Sequence, residues 1–213
     1  MKIHVLVVIL GSVLLTGCIE IVEKITVHKN SSGTVKYSIE PGKFSTFLTA
    51  MRDYTYISPM EDWEKQMVIF TDKLRKLDGI DSVEYSFNPE KNEYFLKFCF
   101  RNITDLNDAI YGILDYKKNV FSPDFMKMSR HRLERKNFVP MLHRYLEQRS
   151  IDSTYLGFAE LISFKTIIEM PGKLKKANGD NCLISADGGS VIQAHKITGI
   201  LENSADLGIK IRY

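Results

Sequence analysis

An apolar run that stops short of membrane length sets the terms for the rest of this chain. Residues 3–15 are apolar apart from His4, Gly11 and Ser12, and Lys2 stands in front of them. A helix needs about 20 apolar residues to cross a bilayer, and Glu20, Glu23 and Lys24 prevent any extension of the run. A basic start, an apolar centre of this length and small residues at Thr16 and Gly17 are what an export signal presents to its peptidase. The folded part is therefore expected to follow residue 17.

The next residue is Cys18, and Leu15-Thr16-Gly17-Cys18 matches the bacterial lipobox. In that motif the small pair enters the peptidase cleft, and the Cys thiol is the nucleophile that accepts a diacylglyceryl group. Cleavage between Gly17 and Cys18 and lipidation of Cys18 are expected, leaving residues 18–213 anchored by acyl chains such as palmitate. Each buried methylene contributes about 0.8 kcal/mol, so a doubly or triply acylated Cys is a stable anchor. The competing reading is a soluble secreted protein whose signal happens to end near a Cys. Ile19 stands where an Asp would signal inner-membrane retention, which favours the outer membrane.

Over the full chain the composition is ordinary: 44% hydrophobic and 26% charged, enough to bury a core. The net charge of +3 falls to +2 once Lys2 is removed, so the chain lacks the footprint of a nucleic-acid binder. No Pro/Gly/Ser-rich linker divides residues 18–213, which predicts one domain.

Residues 20–29 alternate, with Ile21, Glu23, Ile25 and Val27 on one face. Asn30-Ser31-Ser32-Gly33 turns the chain, and residues 34–39 alternate again, predicting a hairpin. Phe44, Phe47, Leu48 and Met51 have helical spacing. Ser58-Pro59 starts a second helix with the stripe Trp63, Met67, Phe70, Leu74 and Leu77. Residues 80–88 and 93–101 form a second predicted hairpin, and Thr104 is read as the cap of a third helix. Residues 121–138 read as a turn and a polar strand, and Pro140 opens a short helix. A long strand over 155–170 follows, then turn clusters at 178–181 and 187–189, strands at 182–186, 190–194 and 208–212, and a helical turn at 197–202. Hairpins and helices without a βαβαβ run predict an α+β class with an antiparallel sheet.

The stretch Phe164-Lys165-Thr166-Ile167-Ile168-Glu169-Met170-Pro171-Gly172-Lys173-Leu174 is an amphipathic strand ending in Met-Pro-Gly-Lys. With Lys176-Ala177-Asn178-Gly179, Ile184-Ser185-Ala186-Asp187-Gly188 and the early Gly33-Thr34-Val35, it resembles the mycobacterial LppM-like family of bacterial envelope lipoproteins. That resemblance covers both ends of the chain better than the middle. It implies a β-rich α+β domain and lipid or glycolipid binding, and it carries no catalytic residues. Some relatives continue into a transmembrane helix, whereas this sequence reaches Tyr213 without an apolar tail.

No nucleophile elbow, P-loop, dinucleotide fingerprint or His-Glu-x-x-His occurs, and His28, His131, His143 and His195 fall in separate elements. No catalytic residue, metal site or cofactor is expected. The function expected is a non-enzymatic envelope lipoprotein binding lipid or glycolipid near the membrane. The alternative is a structural or assembly lipoprotein that binds other envelope proteins. One local charge anomaly stands out: Lys127, Arg130, Arg132, Arg135, Lys136 and Arg144 lie close together in sequence. Two readings are open for it, a solvated outer sheet face or a patch for anionic headgroups. An apolar ligand cavity would draw on Trp63, Met67, Phe70, Phe98 and Phe100, the same residues that would fill a core. Cys99 and Cys182 either pair or stay as separate thiols.

Overall fold

In a computed structural model of the chain, which describes residues 19–40, 59–88, 91, 93–116, 118–119, 122–147 and 159–213, strand pairing starts at Ile19. Strand β1 (Ile19–Val27) and β2 (Gly33–Glu40) form the expected antiparallel hairpin, from Glu20 opposite Glu40 to Val27 opposite Gly33. Strands β3 (Ile80–Asn88) and β4 (Glu93–Phe100) form the second, and β4 docks on β2. The other side of β1 pairs with β7 (Ile162–Glu169), and this ladder is parallel. The expected antiparallel sheet is thus mixed. Adjacent hairpins announce themselves locally, whereas a parallel partner arrives only after a long crossover.

Strands β10 (Ser190–Lys196) and β9 (Cys182–Ile184) complete a seven-stranded sheet in the order β3-β4-β2-β1-β7-β10-β9. A second sheet has the order β5-β6-β11-β8, built from β5 (Met126–Ser129), β6 (Arg132–Arg135), β8 (Lys176–Asn178) and β11 (Ile209–Arg212). The segment read as one polar strand is thus a short hairpin turning at Arg130-His131. The strand expected over 155–170 narrows to β7, with residues 155–158 outside the described ones. The turn at 179–181 hands the chain from β8 in one sheet to β9 in the other.

Helix α1 (Pro59–Arg75) begins at the predicted proline and ends on Lys73 and Arg75, cations that suit its C-terminal dipole. Leu74 is fully buried, and Met67, Phe70 and Leu77 pack on the same core. The side chain of Trp63 and the helix expected over 44–51 lie outside the described residues. Helix α2 (Ile103–Ile113) is capped by Asn102, whose side chain accepts from the amides of Thr104 and Asp105, so Thr104 is not the cap. From α2, buried Asn107 clamps β5: its amide nitrogen donates to the Met126 carbonyl at 2.9 Å, and its oxygen accepts from the Met126 amide at 2.8 Å. Helices α3 (Val139–Glu147) and α4 (Ile197–Leu201) pack around Val139, Ile200 and Leu207, with Phe164 at the edge of that cluster.

The main core lies between the inner face of the large sheet, the second sheet and the first two helices. Ile25, Val35, Phe98, Ile168 and Val191 meet Leu133, Ile209, Ile211 and Met126 there. Phe98 and Phe100 are 0% and 2% exposed, so they fill the interior and line no open cavity. Each such side chain contributes about 1.5–3 kcal/mol by leaving water. The chain is an α+β protein.

A candidate anion-binding sheet face

Two polar features stand out against this core, one inward and one outward. On the inner face of the large sheet, Tyr37, Glu23, Thr166 and Gln193 occupy directly opposed positions on β2, β1, β7 and β10. They form a polar row across an otherwise apolar surface. Tyr37 donates to Glu23 Oε1 at 3.0 Å, and Thr166 donates to Glu23 Oε2 at 3.0 Å. Gln193 donates to the carbonyls of Asp180 and Asp206 at 2.9 and 3.0 Å. Burial, reinforced by the Glu23 charge, holds the Tyr37 hydroxyl well above the ordinary tyrosine range.

Arg135 enters this row from β6. Its guanidinium lies 2.6 Å from Glu23, donates to Thr166 at 2.9 Å and sits over the Phe138 ring at 4.7 Å. Arg135 is 3% exposed and Glu23 2%. Arg135 is therefore no part of a surface patch. Its place in sequence says why: Arg135 shares the inward phase of β6 with Leu133.

The outward phase of the second sheet carries the opposite character. Lys127, Arg132, Lys210, Arg212 and Lys176 all point to solvent, with Glu134 as the acid among them. Glu134 is shared by Arg132 at 3.0 Å and Lys210 at 3.6 Å, and Lys127 meets Asp124 at 3.6 Å. Arg132, Arg212 and Lys176 are directly opposed on three neighbouring strands, a transverse row of cations. Among the described residues no carboxylate lies within 4.0 Å of Arg212 or Lys176. Around this row is a shallow depression of about 170 Å³ lined by Arg132, Lys176, Asn178, Lys210, Ile211 and Arg212.

The basic run read from sequence is thus split. Lys127, Arg130 and Arg132 belong to the β5–β6 hairpin and border the cationic face. Arg135 turns inward, Lys136 is exposed just past β6, and Arg144 is exposed on α3, which packs against α4 elsewhere. Lys176, Lys210 and Arg212 escaped the sequence reading because β8 and β11 are far from β6 in the chain. Their alternation in Ile209-Lys210-Ile211-Arg212 was the available signal.

The other candidate residues stay apart. Cys99 on β4 and Cys182 on β9 are separated by β2, β1, β7 and β10, and both are free thiols. His28 and His131 lie in turns, His143 faces Glu147 on α3, and His195 sits on β10. An open depression of about 520 Å³ lies where β1, β7 and β10 meet the turn after β7. Its lining mixes Thr26, Lys29, Glu169 and Asp187 with Val27, Met170 and Pro171, and it includes none of the residues expected to line an apolar cavity. Burial works against the Glu169 charge there, but hydrogen bonds from Lys24 and Thr26 outweigh it and hold the carboxyl below its usual range. Gly17 and Cys18 lie outside the described residues. No described helix is long and apolar enough to cross a membrane.

No family model and no curated protein matches the chain. Among solved structures, it is similar to the NMR structure of the folded domain of Mycobacterium tuberculosis LppM. The TM-score is 0.41 at 8% identity, covering 92% of this chain and 90% of that one.

Proposed function

We infer that the chain is a non-enzymatic envelope lipoprotein, anchored through Cys18, whose domain binds anionic lipid or glycolipid headgroups through the outward face of β5-β6-β11-β8. The observation that carries this reading is the row Arg132, Arg212, Lys176. Like charges directly opposed across strands are destabilising, by a fraction of a kcal/mol to about 1 kcal/mol per pair. The second sheet bears that cost on its solvent face, around a dent wide enough for a phosphate, and a bound anion relieves it.

Sedimentation with vesicles tests this. The chain cut before residue 18 and carrying Cys18→Ser should pellet with phosphatidylglycerol vesicles and not with phosphatidylcholine ones, less so as salt rises. Lys176→Glu with Arg212→Glu should abolish the difference. Equal binding to both vesicles, or binding untouched by charge reversal, would sink the proposal. The anchor is tested separately: Cys18→Ser in the full chain should remove the protein from the membrane fraction.

A second reading, an assembly lipoprotein that adds a partner strand, draws on β9. This edge strand leaves Leu183 70% exposed and Ile184 38% exposed. Cross-linking from position 183 to another envelope protein would favour it.

A further inference from the structure

Ile19 and the cationic row lie towards opposite ends of the β1–β7 ladder. Ile19, the residue after Cys18, is already in the sheet: it pairs with Ile162, and its amide donates to the Leu161 carbonyl at 3.0 Å. On the anchoring proposed above, a single peptide unit separates the acylated residue from the sheet. From Ile19 the β1 and β7 ladders run together to Thr26 and Glu169, about 23 Å at the usual rise per residue. The cationic row lies level with that far end. Tyr213, which follows Arg212, stands against Gly172 beyond β7, and the Lys175 amide donates to the Arg212 carbonyl at 2.8 Å. Met170 and Leu174 donate to the carbonyls of Gly189 and Gly188 at the same end.

An upright domain keeps these cations about 20 Å or more from the anchoring leaflet, beyond the Debye length of about 8 Å at physiological salt. Lying on the cationic face does not solve the problem. The two sheets pack about 10 Å apart, so β1 would be lifted by that spacing plus the length of the lysine and arginine side chains. One residue spans about 3.8 Å. An anchor at Cys18 cannot be reached from there.

Resting on the anion-binding reading above, we propose that the cationic face engages a second anionic membrane surface, opposed to the one that holds Cys18, and bridges the two. The chemistry it recognises is the phosphate of lipid headgroups, presented from across a gap. The zero-length junction is what directs the face outward.

Vesicle clustering tests the bridge with the full, acylated chain. The protein is reconstituted into phosphatidylglycerol-containing vesicles, so that the anchoring leaflet itself offers the ligand, and turbidity and vesicle-to-vesicle energy transfer are followed. The expected result is clustering that reverses with salt and falls at least tenfold in Lys176→Glu/Arg212→Glu. A flexible Gly/Ser insert between Cys18 and Ile19 should also reduce it, by letting the face fold back. If the unacylated chain pellets with these vesicles but the anchored chain fails to cluster them, the bridging proposal is overturned and the binding reading stands. If the unacylated chain fails to pellet, the binding reading falls, and the bridge falls with it.

Discussion

The guanidinium of Arg135 and the carboxylate of Glu23 meet at 2.6 Å in the interior, one from each sheet. They are a pin between two layers that share a largely apolar core. Removing only Glu23 strands a buried cation, a loss of about 3–5 kcal/mol. Glu23→Ala should therefore lower the urea midpoint far more than removal of an exposed pair such as Lys97 and Glu84. The double variant Glu23→Gln/Arg135→Met should lose less than the sum of the single changes. Strict additivity in that cycle would show that the two charges are not coupled.

Gly33 is fixed by crowding. A Cβ there would stand 2.1 Å from the Thr26 carbonyl oxygen and 2.5 Å from the Phe100 ring. Phe100 is core and has nowhere to go. Gly33→Ala should cost about 1–3 kcal/mol by denaturant unfolding, with part regained on adding Phe100→Leu. An unchanged midpoint would mean the hairpin can open at no cost.

His195 is held below the ordinary histidine range by burial. Asp180 and Asp206 oppose this and Arg135 adds to it. The unfolded chain then binds the proton more tightly than the folded one. Stability falls as pH drops from about 6.5 towards the folded value, and the contribution is absent above that window. Unfolding midpoints at about pH 7 and about pH 5.5 should differ more for the native chain than for His195→Gln. Identical slopes would remove His195 as the cause.

Cys99 and Cys182 should remain unpaired even in an oxidising compartment. With four strands between theirs, they sit about 24 Å apart at normal strand spacing, against a limit of about 7 Å between disulfide Cα atoms. Burial, with the Asp180 charge behind it, also pushes the Cys182 thiol up, so it should alkylate slowly until the chain unfolds. A mobility shift between reduced and non-reduced monomer would contradict this arrangement.

Local pattern made the hairpins β1-β2 and β3-β4 readable, because alternation and turn residues sit side by side in sequence. The parallel β1-β7 ladder was not, since Glu23 and Thr166 meet across 143 residues. The buried pair left a partial trace. Glu23 falls in phase with Ile21, Ile25 and Val27, and Arg135 with Leu133, so each charge sits where the pattern asks for an apolar residue. A charge in that phase demands a partner, but only the packing of the sheets names it. The cationic face was half legible. Lys127, Arg130 and Arg132 show as a charge run, whereas Lys176 and Arg212 join them only through the pairing of β6, β11 and β8.

The central position of β1 also dictates timing. This strand is the first described element to be synthesised, yet one of its two edges stays bare until residues 162–169 have followed. Until then the polypeptide can close little more than its early hairpins, and pairings across such a span form slowly. Folding thereby closes late: residues 162–169 lock the first strand in place only after most of the chain is available.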